Sequence, residues 1–116
     1  MTGSDGLFIG GSWRPGSERI VVVDPATEEP IAEVGACTPD DALAACEAAA
    51  AAQPAWARSS PRERAEVLRR VWALLIGATD ELAELIVAEH GKPLADARGE
   101  VVYAAEFFRW NAEEAV

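Results

Sequence analysis

The chain has 116 residues, enough for one folding unit with a buried core but short for an enzyme that must also hold a dinucleotide. Half of its residues are hydrophobic and four are Trp, which excludes the low-hydrophobicity composition of a disordered chain. Twenty acidic against ten basic residues give a net charge of -10 without clustered cations, so nucleic acid and anionic membrane surfaces are excluded as partners. Met1 to Gly11 shows no basic segment followed by an apolar run, and the longest apolar stretch, Val71 to Ile76, is too short to span a bilayer. The expectation is a soluble, cytoplasmic protein.

In chain order, Leu7 to Trp13 reads as two short apolar arms around Gly10-Gly11, a pair suited to the positive backbone angles of a tight hairpin turn. Arg19 to Val23 is a β-branched run halted by Asp24-Pro25, and Ile31 to Val34 alternates apolar and polar after it. These two predict a second hairpin.

At Thr38 the period changes to that of a helix. Thr38 is a capping residue, Pro39 suits the first helical position, and Asp40 and Asp41 favour the positive end of the helix dipole. Ala42, Ala45, Cys46, Ala49 and Ala52 then define a narrow face of small residues, with Pro54 expected to end the helix. Ser60-Pro61 with Glu63 repeats the start signal. It predicts a second helix burying Ala65, Leu68, Trp72, Leu75 and Ile76 and ending near Gly77. Thr79 opens a third, with Leu82, Leu85 and Ile86 inward. Gly91 suits its left-handed end, and Pro93 the first turn of a fourth helix from about Leu94.

The fourth helix carries two apolar stripes: Leu94, Ala97, Val101, Ala104, Ala105 and Phe108 on one side, Tyr103, Phe107 and Trp110 on another. A helix apolar on two sides is normally covered on both, and three preceding helices and two hairpins are too little to do so. Either a partner or a continuation of the chain is implied. The fold class expected is therefore an α+β fragment, two short N-terminal β-hairpins followed by four α-helices. It divides into a hairpin segment, residues 1–37, and a helical segment, residues 38–116, within one folding unit.

Catalytic patterns are lacking. No dinucleotide-binding or P-loop glycine motif occurs, and Gly10, Gly11 and Gly91 are explained by turn geometry. Cys37 and Cys46 form no CxxC pair, and Cys46 is expected to pack in its helix much as an Ala would. His90, the single histidine, sits at a helix end, where a contact with carbonyls or the helix dipole is a better use than general-base work. Glu28-Glu29, Asp40-Asp41 and Glu113-Glu114 read as solvated or helix-end carboxylates, and Glu66 with Arg70 as a surface helix pair.

The order of the motifs nevertheless carries a resemblance. LFIGGSW followed by VVVDPATEEPIAEV is similar to the opening hairpins of the aldehyde dehydrogenase superfamily, with its I-x-G-x-W and N/D-P-A-T segments. PAWARSSPRERAEVLRRVWALL resembles that family's P-x-W and R-x-x-x-L helix, and EHGKPLADARGEV its E-x-G-K-P-L-x-E-A-x-G-E segment. The ending YAAEFFRWNAEEA is most similar to the succinate-semialdehyde dehydrogenase branch.

This resemblance implies the start of the family's fold, with residues 38–116 belonging to an incomplete nucleotide-binding domain. It implies a complete enzyme in which a cysteine thiolate attacks the aldehyde, hydride passes to NAD or NADP, and a glutamate assists hydrolysis of the thioester. All those residues fall beyond the position matching Val116. Cys37 and Cys46 do not lie on the nucleophile's motif, and Asn111 does not belong to the oxyanion segment. No cofactor is expected on this chain alone, whose expected partners are a C-terminal remainder or further copies of itself. Two roles carry over: Glu89, with the backbone at Val22 and Val23, matches a monovalent-cation site, and Tyr103, Phe107 and Trp110 match the helix bordering the aldehyde tunnel. Beside them stand plainer readings, a helix-end carboxylate and packed aromatics. Two further possibilities are a stand-alone acidic helical module that binds a partner and a non-functional remnant.

Overall fold

The computed structural model describes residues 6–116. They form two compact units, one holding the residues up to Val23 together with Glu28–Arg58, the other Asp24–Thr27 with Ser59–Val116. By element the order is two antiparallel strand pairs and then four helices, as the turn and capping signals require.

In the first unit β1 (Leu7–Ile9) pairs with β2 (Ser12–Arg14), Leu7 opposite Arg14. Gly10 and Gly11 between them have φ of 62° and 80°, the two positive angles of a hairpin turn whose twist matches its strands. β3 (Glu18–Val23) pairs with β4 (Pro30–Ala36), Ile20 opposite Val34, with a register shift between Val22 and Val23. α1 (Pro39–Arg58) follows. Thr38 caps it reciprocally: its Oγ1 accepts from the Asp41 N–H at 3.2 Å, while its own N–H donates to the Asp41 carboxylate at 3.0 Å. The Thr38 hydroxyl also donates to the Asp41 carboxylate at 2.6 Å, and this bond first, then that from the Thr38 N–H, holds the Asp41 carboxyl below its usual range.

Two expectations for α1 are corrected. Pro54 lies inside the helix, which runs on to Arg58. A proline deprives the carbonyl four residues back of its donor, and Ala50 is exposed, so water can serve that group and the helix continues. Cys46 is exposed, as is Cys37. The face of α1 turned to the first hairpin runs through Ala45, Ala48, Ala49 and Ala52, along an open groove with Phe8 and Ile9. Cys46 is one step, about 100°, off that line.

The second unit packs α2 (Pro61–Gly77) and α3 (Thr79–His90) against α4 (Leu94–Glu114). Ser60 caps α2 in the same reciprocal way with Glu63, at 3.2 Å and 2.7 Å. The core is built of small residues. Ala65, Ala83, Ala97, Ala105 and Ala112 are fully buried with Val101 at 5%, while Leu68, Trp72 and Leu75 are half-buried. Alanine at the contact line lets helix backbones approach closely, leaving the larger side chains at the margins. Hence Leu94, Ala104, Ile76 and Leu85, expected inward, are exposed at those margins.

α3 ends on Gly91, with φ 71°, whose N–H donates to the Val87 carbonyl at 2.8 Å. Pro93 sits one step before the expected first turn. It is the cap residue of α4, its carbonyl accepting from the Asp96 and Ala97 N–H groups at 3.0 Å.

Candidate functional site

An exposed aromatic stripe of the second unit lies on the outer side of α4. Because Ala97, Val101, Ala105 and Ala112 turn inward, the residues between them, Tyr103, Phe107 and Trp110, turn outward. They are 68%, 54% and 60% exposed. Tyr103 and Phe107 meet edge to face with ring centroids 5.1 Å apart, one helical turn from each other. With Glu106 they line an open apolar hollow that reaches Trp110.

Glu106 is the organising polar residue of this side of the helix. Its carboxylate accepts from Arg109 Nε at 2.7 Å and from the indole N–H of Trp72 at 3.3 Å, which ties α4 to α2. The Arg109 bond, before any other influence, holds the Glu106 carboxyl below its usual range. Arg109 also donates to Glu113 at 2.9 Å, and its own affinity for the proton rises between the two carboxylates.

Beside Tyr103 a second hollow of about 460 Å³ opens between α2, α3 and α4, walled by Leu75, Leu82, Leu85, Ile86 and Val101 and rimmed by Glu89 and Glu100. Lys92 pairs with Glu100, whereas Glu89 has no hydrogen-bond or ion-pair partner among the described residues.

The residues implied as a cation site are distributed between the units. Val22 and Val23 lie at the register shift of β3 in the first, and Glu89 lies in the last turn of α3 in the second. Among the described residues no group of three or more His, Cys, Asp and Glu has metal-binding placement.

Among the described residues neither thiol is paired with a base. The Cys37 thiol donates to the neighbouring Thr38 carbonyl at 3.3 Å, and His90 is exposed at its helix end. The Asn111 side-chain amide donates to the Phe107 carbonyl one turn back, at 2.8 Å, a helix-bracing bond. Helical periodicity does not single out two further residues of the site. Glu106 takes part through a bond to a residue 34 positions away. Gly99 shares the outer line of α4, four residues before Tyr103, and a Cβ built on it would meet nothing within 4 Å.

This α+β arrangement, with its exposed aromatic helix face, has known counterparts. Residues 13–116 match the model of the aldehyde dehydrogenase family. The chain belongs to the aldehyde dehydrogenase family.

It is 54% identical over 86 residues to the succinate-semialdehyde dehydrogenase of Paenarthrobacter nicotinovorans, covering 74% of this chain and 19% of that protein. Its fold superposes on the crystal structure of an E. coli NADP-dependent enzyme with a TM-score of 0.92 at 40% identity, over 95% of this chain and 23% of that one. With the succinate-semialdehyde dehydrogenase of Burkholderia pseudomallei the TM-score is 0.88 at 42% identity, over 91% and 22%. The chain thus spans about a fifth of the length of the relatives it matches. It matches their N-terminal portion, and the family's catalytic residues are not among these 116. No helix among the described residues is long and apolar enough to cross a membrane.

Proposed function

We propose that this chain is the opening segment of an NAD(P)-dependent aldehyde dehydrogenase that oxidises a succinate semialdehyde-type substrate to the carboxylic acid. The observation that carries this reading is the family match over residues 13–116, joined to 54% identity with a succinate-semialdehyde dehydrogenase. In such an enzyme NAD(P)+ supplies the hydride acceptor, and the nucleophile and base come from the part of the fold that this chain does not span.

The contribution of these residues is positional. α4 holds Tyr103, Phe107 and Trp110 as an apolar wall beside the aldehyde's path. Glu106, bonded to Trp72 and Arg109, fixes that wall on α2.

The test is a full-length hybrid in which this chain replaces the matching stretch of the Paenarthrobacter relative. It should form NAD(P)H with succinate semialdehyde. A folded hybrid that leaves this aldehyde untouched while the parent oxidises it would overturn the reading.

A further inference from the structure

Glu106 belongs to two surroundings at once. It lines the apolar hollow of Tyr103, Phe107 and Trp110, yet both oxygens of its carboxylate are engaged by residues that are no part of that hollow. One accepts from Arg109 Nε at 2.7 Å, the other from the Trp72 indole N–H at 3.3 Å. Trp72 and Arg109 border instead another hollow, of about 410 Å³, between α2 and α4. There Arg69, Arg70 and Arg109 stand with Glu66 and Glu113, so that with Glu106 three cations meet three anions in a chain whose net charge is -10. Without these donors Glu106 would be a bare negative charge at the edge of an apolar surface, where water screens it less than in bulk.

We propose, resting on the functional reading above, that Arg109 is a specificity-determining residue: by pairing with Glu106 it masks the negative charge that borders the aromatic wall, so that an aldehyde carrying a carboxylate can lie along it. A succinate semialdehyde-type substrate is an anion at neutral pH, and a chain of net charge -10 already opposes its approach. Arg109 removes the nearest carboxylate from that opposition, and Trp72, itself uncharged, holds the second oxygen toward α2. Bracing of α4 on α2 would serve every aldehyde alike. Masking of a charge serves only the anionic ones.

The first measurement uses the chain itself at low ionic strength. It compares how a carboxylated and a neutral nitroxide broaden the indole N–H signal of Trp110, assigned by its loss in Trp110→Phe. Arg109→Gln should lower the broadening by the carboxylated probe relative to the neutral one. Arg109→Lys, which keeps the charge, should leave the ratio near its original value, and Arg109→Gln with Glu106→Gln should restore it. The second measurement uses the hybrid enzyme with succinate semialdehyde and with butanal, the aldehyde of equal length without the carboxylate. Arg109→Gln should raise KM for succinate semialdehyde about three- to tenfold more than KM for butanal, the size of a unit-charge repulsion across partly wetted protein, with salt reducing the difference. Adding Glu106→Gln should remove it. A probe ratio that Arg109→Gln leaves unchanged, or KM values that rise alike for both aldehydes, would overturn the masking role and reduce the network to a brace. A hybrid inactive on succinate semialdehyde, with the probe ratio shifting as stated, would sink the substrate reading and leave the masking of Glu106 standing.

Discussion

At the scale of single residues, Gly91 is constrained twice. Its φ of 71° is costly for any residue with a Cβ, and that Cβ would lie 2.9 Å from the ring of Pro25. Gly91→Val should therefore destabilise the chain by about 1–2 kcal/mol from the backbone alone, with the proline contact adding to it. Gly91→Asn, which tolerates the left-handed region better, should recover only the backbone part. Thermal unfolding of the two variants checks the order, and an unchanged midpoint for Gly91→Val would contradict the constraint. The exposed Cys37 and Cys46 should both react with a thiol reagent in the folded chain. Protection of Cys46 until unfolding would show that α1 buries it after all.

At the scale of elements, each of the two reciprocal caps depends on an ionised carboxylate. The bonds from Thr38 to Asp41 and from Ser60 to Glu63 lower both pKa values. A depressed carboxylate stabilises above the pKa it has in the unfolded chain and loses that contribution as pH falls through its folded value. Helix content followed by circular dichroism should thus decline below the ordinary carboxylate range, and Glu63→Gln should weaken the pH dependence. Ser60→Ala should cost about 1 kcal/mol of stability at neutral pH. These caps were legible in the sequence because Ser60-Pro61 with Glu63 is a local pattern, and so were Gly10-Gly11 and Gly91, where backbone angles dictate the residue. Pro54 misleads because a helix break is a local rule that water at an exposed turn overrides. Cys46 and Leu85 mislead because periodicity gives a direction around the helix but not the width of the contact. In a core of alanines that contact is narrow. The outer face of α4 was legible from two stripes on one helix, whereas Gly99 becomes informative only when the space around it is seen to be empty.

At the scale of the whole molecule, the exposed Tyr103, Phe107 and Trp110 leave a large aromatic surface in water, and burying each is worth roughly 1.5–3 kcal/mol. The isolated chain should self-associate weakly or bind a hydrophobic dye, and Phe107→Lys with Trp110→Gln should raise its solubility without loss of helix. Unfolding by that pair would mean that the stripe is core. The central claim is that these residues belong to the aldehyde dehydrogenase architecture without carrying its chemistry. The most direct test is NAD(P)H formation by the purified chain with succinate semialdehyde and either nicotinamide cofactor. No turnover is expected, since neither thiol is matched with a base, whereas turnover abolished by Cys37→Ala or Cys46→Ala would contradict the claim.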